Sequence, residues 1–265
     1  MTNSAVGKPR GILHPKAGEG KFRLSLHPPA PDLAFFVEQY WIVNWDLRGQ
    51  EPYAQEVLPH PCVHLVIEDD TASIVGVMQG KFSRLLEGRG RAFGVKFKPG
   101  AFYPFVKTPV SRFTNGSLSL HDVFGADGVR FEEEMRRSED EGAMIGIADC
   151  FLRERLPERD ENVALVNQII DRIIADRAIT RVDDVARPLT LTTRSLQRIF
   201  SQYVGVSPKW VIKRYRLHDA AERLAVGDVV DWPKLAVDLG YFDQAHFIND
   251  FKAIVGSAGC VLSIV

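Results

Sequence analysis

The sequence predicts an α+β chain in three parts: a β-rich, barrel-like N-terminal domain, a helical connector, and an all-α C-terminal domain with two helix-turn-helix units. Three observations carry this. Short aromatic and β-branched runs, separated by Gly, Pro, Asp or Glu, crowd residues 35–98. After Gly125 the texture turns to Glu, Arg and Ala, and after Val163 the apolar residues fall at helical spacing. Within that helical part a set of residues recurs fifty to fifty-one positions later. The length of 265 residues agrees with about two domains of ordinary size.

Residues 1–20 hold Lys8, Arg10 and Lys16 with no apolar stretch behind them. That lacks the core of a secretory signal and reads as a disordered leader. The β-rich domain spans 21–127, with strands expected at 35–47, 62–68, 72–79 and 91–98. In the last, Phe93, Val95 and Phe97 alternate with Gly94 and Lys96, the period of a half-buried strand. Strands of this length with turns between them suit a barrel or sandwich. The connector, 128–161, has few β-branched residues and reads as one or two surface-exposed helices ending at Pro157–Glu161.

The helical domain, 162–265, opens with Val163, Val166, Ile169, Ile170, Ile173 and Ile174, an amphipathic stripe. Val182 to Arg187 makes one or two turns, and Pro188 interrupts them. Thr190 or Thr192 can cap the next helix, whose inner face is Leu196, Ile199, Phe200 and Tyr203 and which Gly205 ends. Ser207-Pro208 then opens a long helix through Ala225, with Ser as cap and Pro at the first position.

The repeat decides the reading. Val185-Ala186 recurs as Leu235-Ala236, and Leu196, Phe200 and Gly205 recur as Phe247, Phe251 and Gly256. Each copy is a short helix carrying an alanine, a turn, and a longer helix with an aromatic inner face. Alanine lets the two helices approach closely, and Gly240 suits the second turn. This is the helix-turn-helix design, whose second helix can enter a major groove. Arg194, Gln197, Arg198 and Ser201 stand on the outer face of the first such helix. Arginine can bond guanine bidentately and glutamine can do so with adenine. The helix 208–225 would span about 27 Å, close to the roughly 34 Å between successive major-groove faces.

A net charge of −1 hides a basic island. Residues 181–216 hold eight Lys or Arg against two acids, whereas 217–265 hold three against seven. Within the island Lys209, Lys213, Arg214 and the helix N-termini are expected to hold phosphates, leaving bases to Arg194, Gln197 and Arg198.

The stretch VDDVARPLTLTTRSLQRIFSQYVGVSPKWVIKRYRL, with LAVDLGYFDQAHFINDFKAIVG after it, resembles the paired helix-turn-helix domain of AraC/XylS-type transcription regulators over residues 163–256. The resemblance implies double-stranded promoter DNA as partner and RNA polymerase as a second. Thr193, Arg194, Gln197 and Arg198 would lie on the first recognition helix, and Asp243, Gln244, His246 and Asn249 on the second, with Lys252 behind them. Three departures point to weaker base reading by the second unit: Asn249 where the family usually has Arg, an acidic second half, and the tail SAGCVLSIV. Thr190 stands where the first turn usually has Gly. FVEQYWIVNWDL, VLPHPCVHLVI and FGVKFKPGAFYPF resemble a β-rich domain fused to some of these regulators, which leaves room for a small-molecule effector and a homodimer.

Other features have two readings. His60, Cys62 and His64 would share one face of a strand, as soft-metal ligands or as a small core residue between histidines at a strand entrance. Phe35, Phe36, Tyr40, Trp41 and Trp45 would line an effector pocket or fill a core. Gly88-Arg89-Gly90-Arg91 reads as a hairpin turn, and Glu132-Glu133-Glu134 as a solvated helix face. No nucleophile–base set, paired carboxylates or phosphate loop stands out, so no enzyme, cofactor or metal is predicted. The alternative is a metal- or small-molecule-dependent enzyme or sensor on the barrel, with an accessory helical domain. Three cysteines far apart and no membrane-length apolar run point to the cytoplasm and no membrane.

Overall fold

Phe93, Val95 and Phe97 alternate as expected and are at most 1% exposed, at the centre of an antiparallel sheet. The computed structural model describes residues 18–225, 232–238 and 240–255. The strands are β1 (Arg23–His27), β2 (Val37–Asp46), β3 (Tyr53–Val57), β4 (His64–Glu68), β5 (Ala72–Val75), β6 (Phe82–Leu86), β7 (Arg89–Phe97) and β8 (Ser117–Ser119). Six form one sheet in the order β1-β2-β7-β4-β5-β8, and β3 pairs with β6 in a second. The large sheet ends on β1 and β8, so among the described residues the strands form two open sheets rather than a closed barrel. The four expected strands are β2, β4, β5 and β7. Of the four strands not expected, β1, β3, β6 and β8, β6 reads FSRLL, without alternation, and β8 has only three residues.

The helices are α1 (Tyr103–Val106), α2 (Leu120–Phe124), α3 (Ala126–Arg137), α4 (Glu141–Arg153), α5 (Glu161–Ala175), α6 (Val182–Ala186), α7 (Thr193–Ile199), α8 (Pro208–Ala225), α9 (Trp232–Asp238) and α10 (Gln244–Val255). The connector residues do form helices, α3 and α4, and these lie on the sheet. Phe131 and Met135 on α3, with Met144, Ala148, Phe151 and Leu152 on α4, join Tyr40, Ile42, Leu65 and Phe93 in one core. Their spacing of three, four and seven is a helical stripe, which the segment's charged composition hid; its Glu-rich face stays in solvent.

A second core gathers α5, the first helix-turn-helix unit and the first half of α8. Phe36, Val77 and Ala101 of the N-terminal part enter it, so the two parts share a seam. Polar bonds cross it: Asn167 Nδ2 donates to the Pro99 carbonyl at 2.9 Å, and the Thr114 hydroxyl donates to the Gly205 carbonyl at 2.8 Å. Of the expected leader, residues 1–17 lie outside the described residues, as does the tail from Gly256. No helix among the described residues is long and apolar enough to cross a membrane.

Candidate nucleic-acid interface

The first unit is α6, one 3-10 turn (Arg187–Leu189) and α7, which continues as a π turn over Phe200–Val204. Pro188 sits inside the 3-10 turn, where its missing N–H is no loss. The chain reverses at Thr190, which takes a left-handed conformation at φ 53°. Thr192, of the two candidates, caps α7: its hydroxyl accepts from the Ser195 N–H at 3.0 Å. Inward, Leu196 and Phe200 are fully buried against Ala186 and Val185.

The second unit repeats this atom for atom at the turn. Leu191 N–H donates to the Ala186 carbonyl at 3.1 Å, and Tyr241 N–H to that of Ala236 at 2.9 Å. Thr190 N–H donates to Arg187 at 3.2 Å, and Gly240 N–H to Val237 at 2.9 Å. Asp243 replaces Thr192 as cap, its carboxylate accepting from the His246 N–H at 2.7 Å. Phe247 and Phe251 fill the places of Leu196 and Phe200. Between the units Ser207 caps α8 by accepting from Trp210 N–H, with Pro208 first in the helix, as the sequence predicts.

On the outer face of α7, Arg194, Gln197 and Arg198 are all exposed. Thr193 is half-buried, and its hydroxyl donates to Asp183 at 2.8 Å, which ties α7 to α6. At an offset of fifty-one, the second helix offers Ala245, Ile248 and Asn249 where the first has Arg194, Gln197 and Arg198. His246 and Asn249 are exposed and Gln244 is half-buried; Asp243 is exposed but committed to its cap. Lys252 falls on α10, and its side chain is outside the described residues. Phe242, 94% exposed, and Val237, 68%, project beside the second turn. Neither draws attention in the sequence, where an apolar residue near a helical stripe reads as core.

The phosphate-contact set needs a correction. Lys209 is exposed and Lys213 half-buried, but Arg214 is 1% exposed and faces the seam. Its guanidinium lies 4.5 Å over the Trp210 ring and donates to the Gln79 carbonyl, and burial lowers its pKa to about 10. A side chain in that place is not available to phosphate. Arg216 is also 1% exposed: one Nη2 donates to the carbonyls of Ile173, Asp176 and Ile179, gathering the end of α5 onto α8. Two of the eight basic residues therefore serve packing. Charge counting cannot separate them, because the inward face of α8 is set by tertiary contacts.

His60, Cys62 and His64 do not share a strand face, since β4 begins only at His64. The His60 ring stacks on His218 of α8 at 4.2 Å, Cys62 is buried with its thiol pushed up to about 12, and His64 accepts from Trp41 Nε1 at 3.2 Å. Among the described residues no three His, Cys, Asp or Glu side chains are placed to hold a metal. Phe36 and Tyr40 are core, Phe35 packs against Phe36 edge-on, and Trp41 and Trp45 are half-buried against Gly94 and Gly90.

The family model "Helix-turn-helix domain" matches residues 185–258, and "Domain of unknown function (DUF6597)" matches residues 25–119. No curated protein matches the chain. The chain is similar to the crystal structure of ToxT from Vibrio cholerae O395, at 12% identity and a TM-score of 0.39, covering 92% of this chain and 95% of that one. A ToxT structure with unsaturated fatty acid bound, from strain SCE256, gives 13% identity and 0.36 over 89% and 88%. The AraC-like transcriptional activator CuxR gives 15% and 0.22 over 77% and 88%. With the paired turns, caps and outward side chains in place, residues 185–258 are a helix-turn-helix domain, behind a strand-rich N-terminal domain of unknown function.

Proposed function

We propose that the protein is a sequence-specific regulator of transcription that reads two adjacent major-groove segments with the two units of one chain. The observation that carries this is the pairing of a capped α7, bearing exposed Arg194, Gln197 and Arg198, with the same turn and cap fifty residues on. Arg194, Gln197 and Arg198 read bases, while Lys209, Lys213 and the backbone N–H groups at the starts of α7 and α10 hold phosphates. The second unit, with Gln244, His246, Asn249 and Lys252, contributes more grip than base reading, because Ala245 and Ile248 offer no hydrogen bonds to a base edge.

The N-terminal domain is the regulatory part. It grips α5 and α8 along the seam, so a small-molecule effector that shifted it would change how the two units are held. RNA polymerase and a second copy of the chain are further partners by analogy with regulators of this type. Fluorescence anisotropy with the DNA upstream of its own gene, against a scrambled duplex and across a salt series, tests the reading. Tighter binding to the upstream DNA, falling steeply with salt, supports it. Absence of binding to either duplex at low salt rejects it.

A further inference from the structure

The cores of the two reading units draw differently on the N-terminal part of the chain. The first sits in a core of nineteen buried apolar residues, counted among the described residues. Around the second, the described buried residues are Leu217 and Ala220 from α8, Ala236 from α9, Phe247 and Phe251 from α10, and Leu58. Leu58 belongs to none of these helices. It lies in the loop between β3 and β4, nearly 160 residues earlier, and is 0% exposed. Two of the other five are alanines, so among the described residues Leu58 is one of four large buried side chains there, with Tyr241 and Ile248 packed against them.

The same loop touches α8 again two residues later. The His60 ring lies parallel to that of His218, centroids 4.2 Å apart and planes at 12°, with Tyr215 at 6.0 Å. Beyond it, Cys62 is buried and His64 accepts from Trp41 in the large sheet. Five residues thus run from the core of the second unit to the middle of the β domain.

We infer that Leu58 is a positioning residue of the second reading unit: the β domain supplies it, and α10 is held for DNA only while the loop is seated. Its role in DNA contact rests on the reading proposed above; its role in holding α9 and α10 does not. A large, fully buried apolar side chain cut back to alanine leaves a cavity that its neighbours fill only in part. Because the loop leads straight into β4, a rearrangement of the β domain that unseats it reaches the second unit through Leu58.

Segment-resolved hydrogen exchange on the full-length chain tests this without DNA. In Leu58→Ala, amides of 232–238 and 244–255 should exchange faster, on the order of tenfold or more, while those of α7 and the large sheet keep their wild-type rates. Leu58→Met should restore the slow exchange. Unchanged exchange in α9 and α10, or an equal rise in every element, overturns the inference. On duplexes enriched from a random pool by the wild-type chain, Leu58→Ala should keep protection over one half of the site and lose the other. Equal loss over both halves overturns the role in reading. A wild-type chain that enriches no duplex would reject the proposed function and leave the exchange result to decide the structural role.

Discussion

Thr190 and Gly240 hold the same turn position fifty residues apart, at φ 53° and 77°, and each N–H donates to the carbonyl three residues back. Glycine reaches that conformation freely; a β-branched threonine reaches it against steric cost, roughly 1–2 kcal/mol. The first turn is held there by the buried helices on either side, Ala186 and Leu196. Gly240 has a second constraint, since a Cβ on it would sit 2.1 Å from Thr180 Cγ2 in the loop between α5 and α6.

Thr190→Gly should therefore stabilise the chain by about 0.5–1 kcal/mol, the strain relieved less the greater freedom of glycine when unfolded. Gly240→Ala should destabilise it by about 2 kcal/mol. Urea midpoints of the two variants check both signs, and a loss of stability in Thr190→Gly would show that the turn carries no strain.

Arg198 and Asn249 occupy equivalent outward positions on α7 and α10, and both are exposed. Arg198→Ala should weaken specific binding by about 1–3 kcal/mol and relax base preference, with a smaller effect from Asn249→Ala. Gel-shift titrations at fixed salt measure the pair; equal losses would contradict the unequal division of reading between the units.

Arg214 is a buried cation whose Nε and Nη1 find no hydrogen-bond partner among the described residues. An apolar side chain of similar size avoids that desolvation, so Arg214→Met should raise stability by about 1–2 kcal/mol. It should also leave the salt dependence of DNA binding unchanged, whereas Lys209→Gln at an exposed position should lower the slope by about one. A reduced slope in Arg214→Met would place the guanidinium on phosphate after all.

His64 accepts from Trp41 Nε1, and burial first, then Lys96, lowers its pKa to about 3. The unfolded chain takes up this proton below about pH 6.5 while the folded one does not, so stability is complete above that value and falls as pH drops toward 3. Each pH unit in that window should remove up to about 1.4 kcal/mol, and His64→Gln should flatten the dependence. An unchanged acid limb of the Tm–pH curve in that variant would count against it.

Where the sequence could be read, the reason was periodic or positional. Phe93, Val95 and Phe97, the Ser207-Pro208 helix start and the fifty-residue repeat are local signals, and each stands in the fold at its expected place. Tertiary choices left no such mark. Arg214 and Lys213 are neighbours in a basic run, yet only the seam decides that Arg214 turns inward. Leu58 looks like any loop residue before a proline, and only the return of the chain to α8 gives it a core to complete. The helix α3 hides its buried stripe under a charged average composition.

Methylation-protection footprinting of the full-length chain on a duplex it has enriched tests the central claim most directly. Two clusters of protected guanine N7 positions, on one face of the duplex and about one helical turn apart, are the predicted result, the stronger under α7 and lost in Arg198→Ala. One cluster only, or two of equal strength that survive Arg198→Ala, would contradict the account.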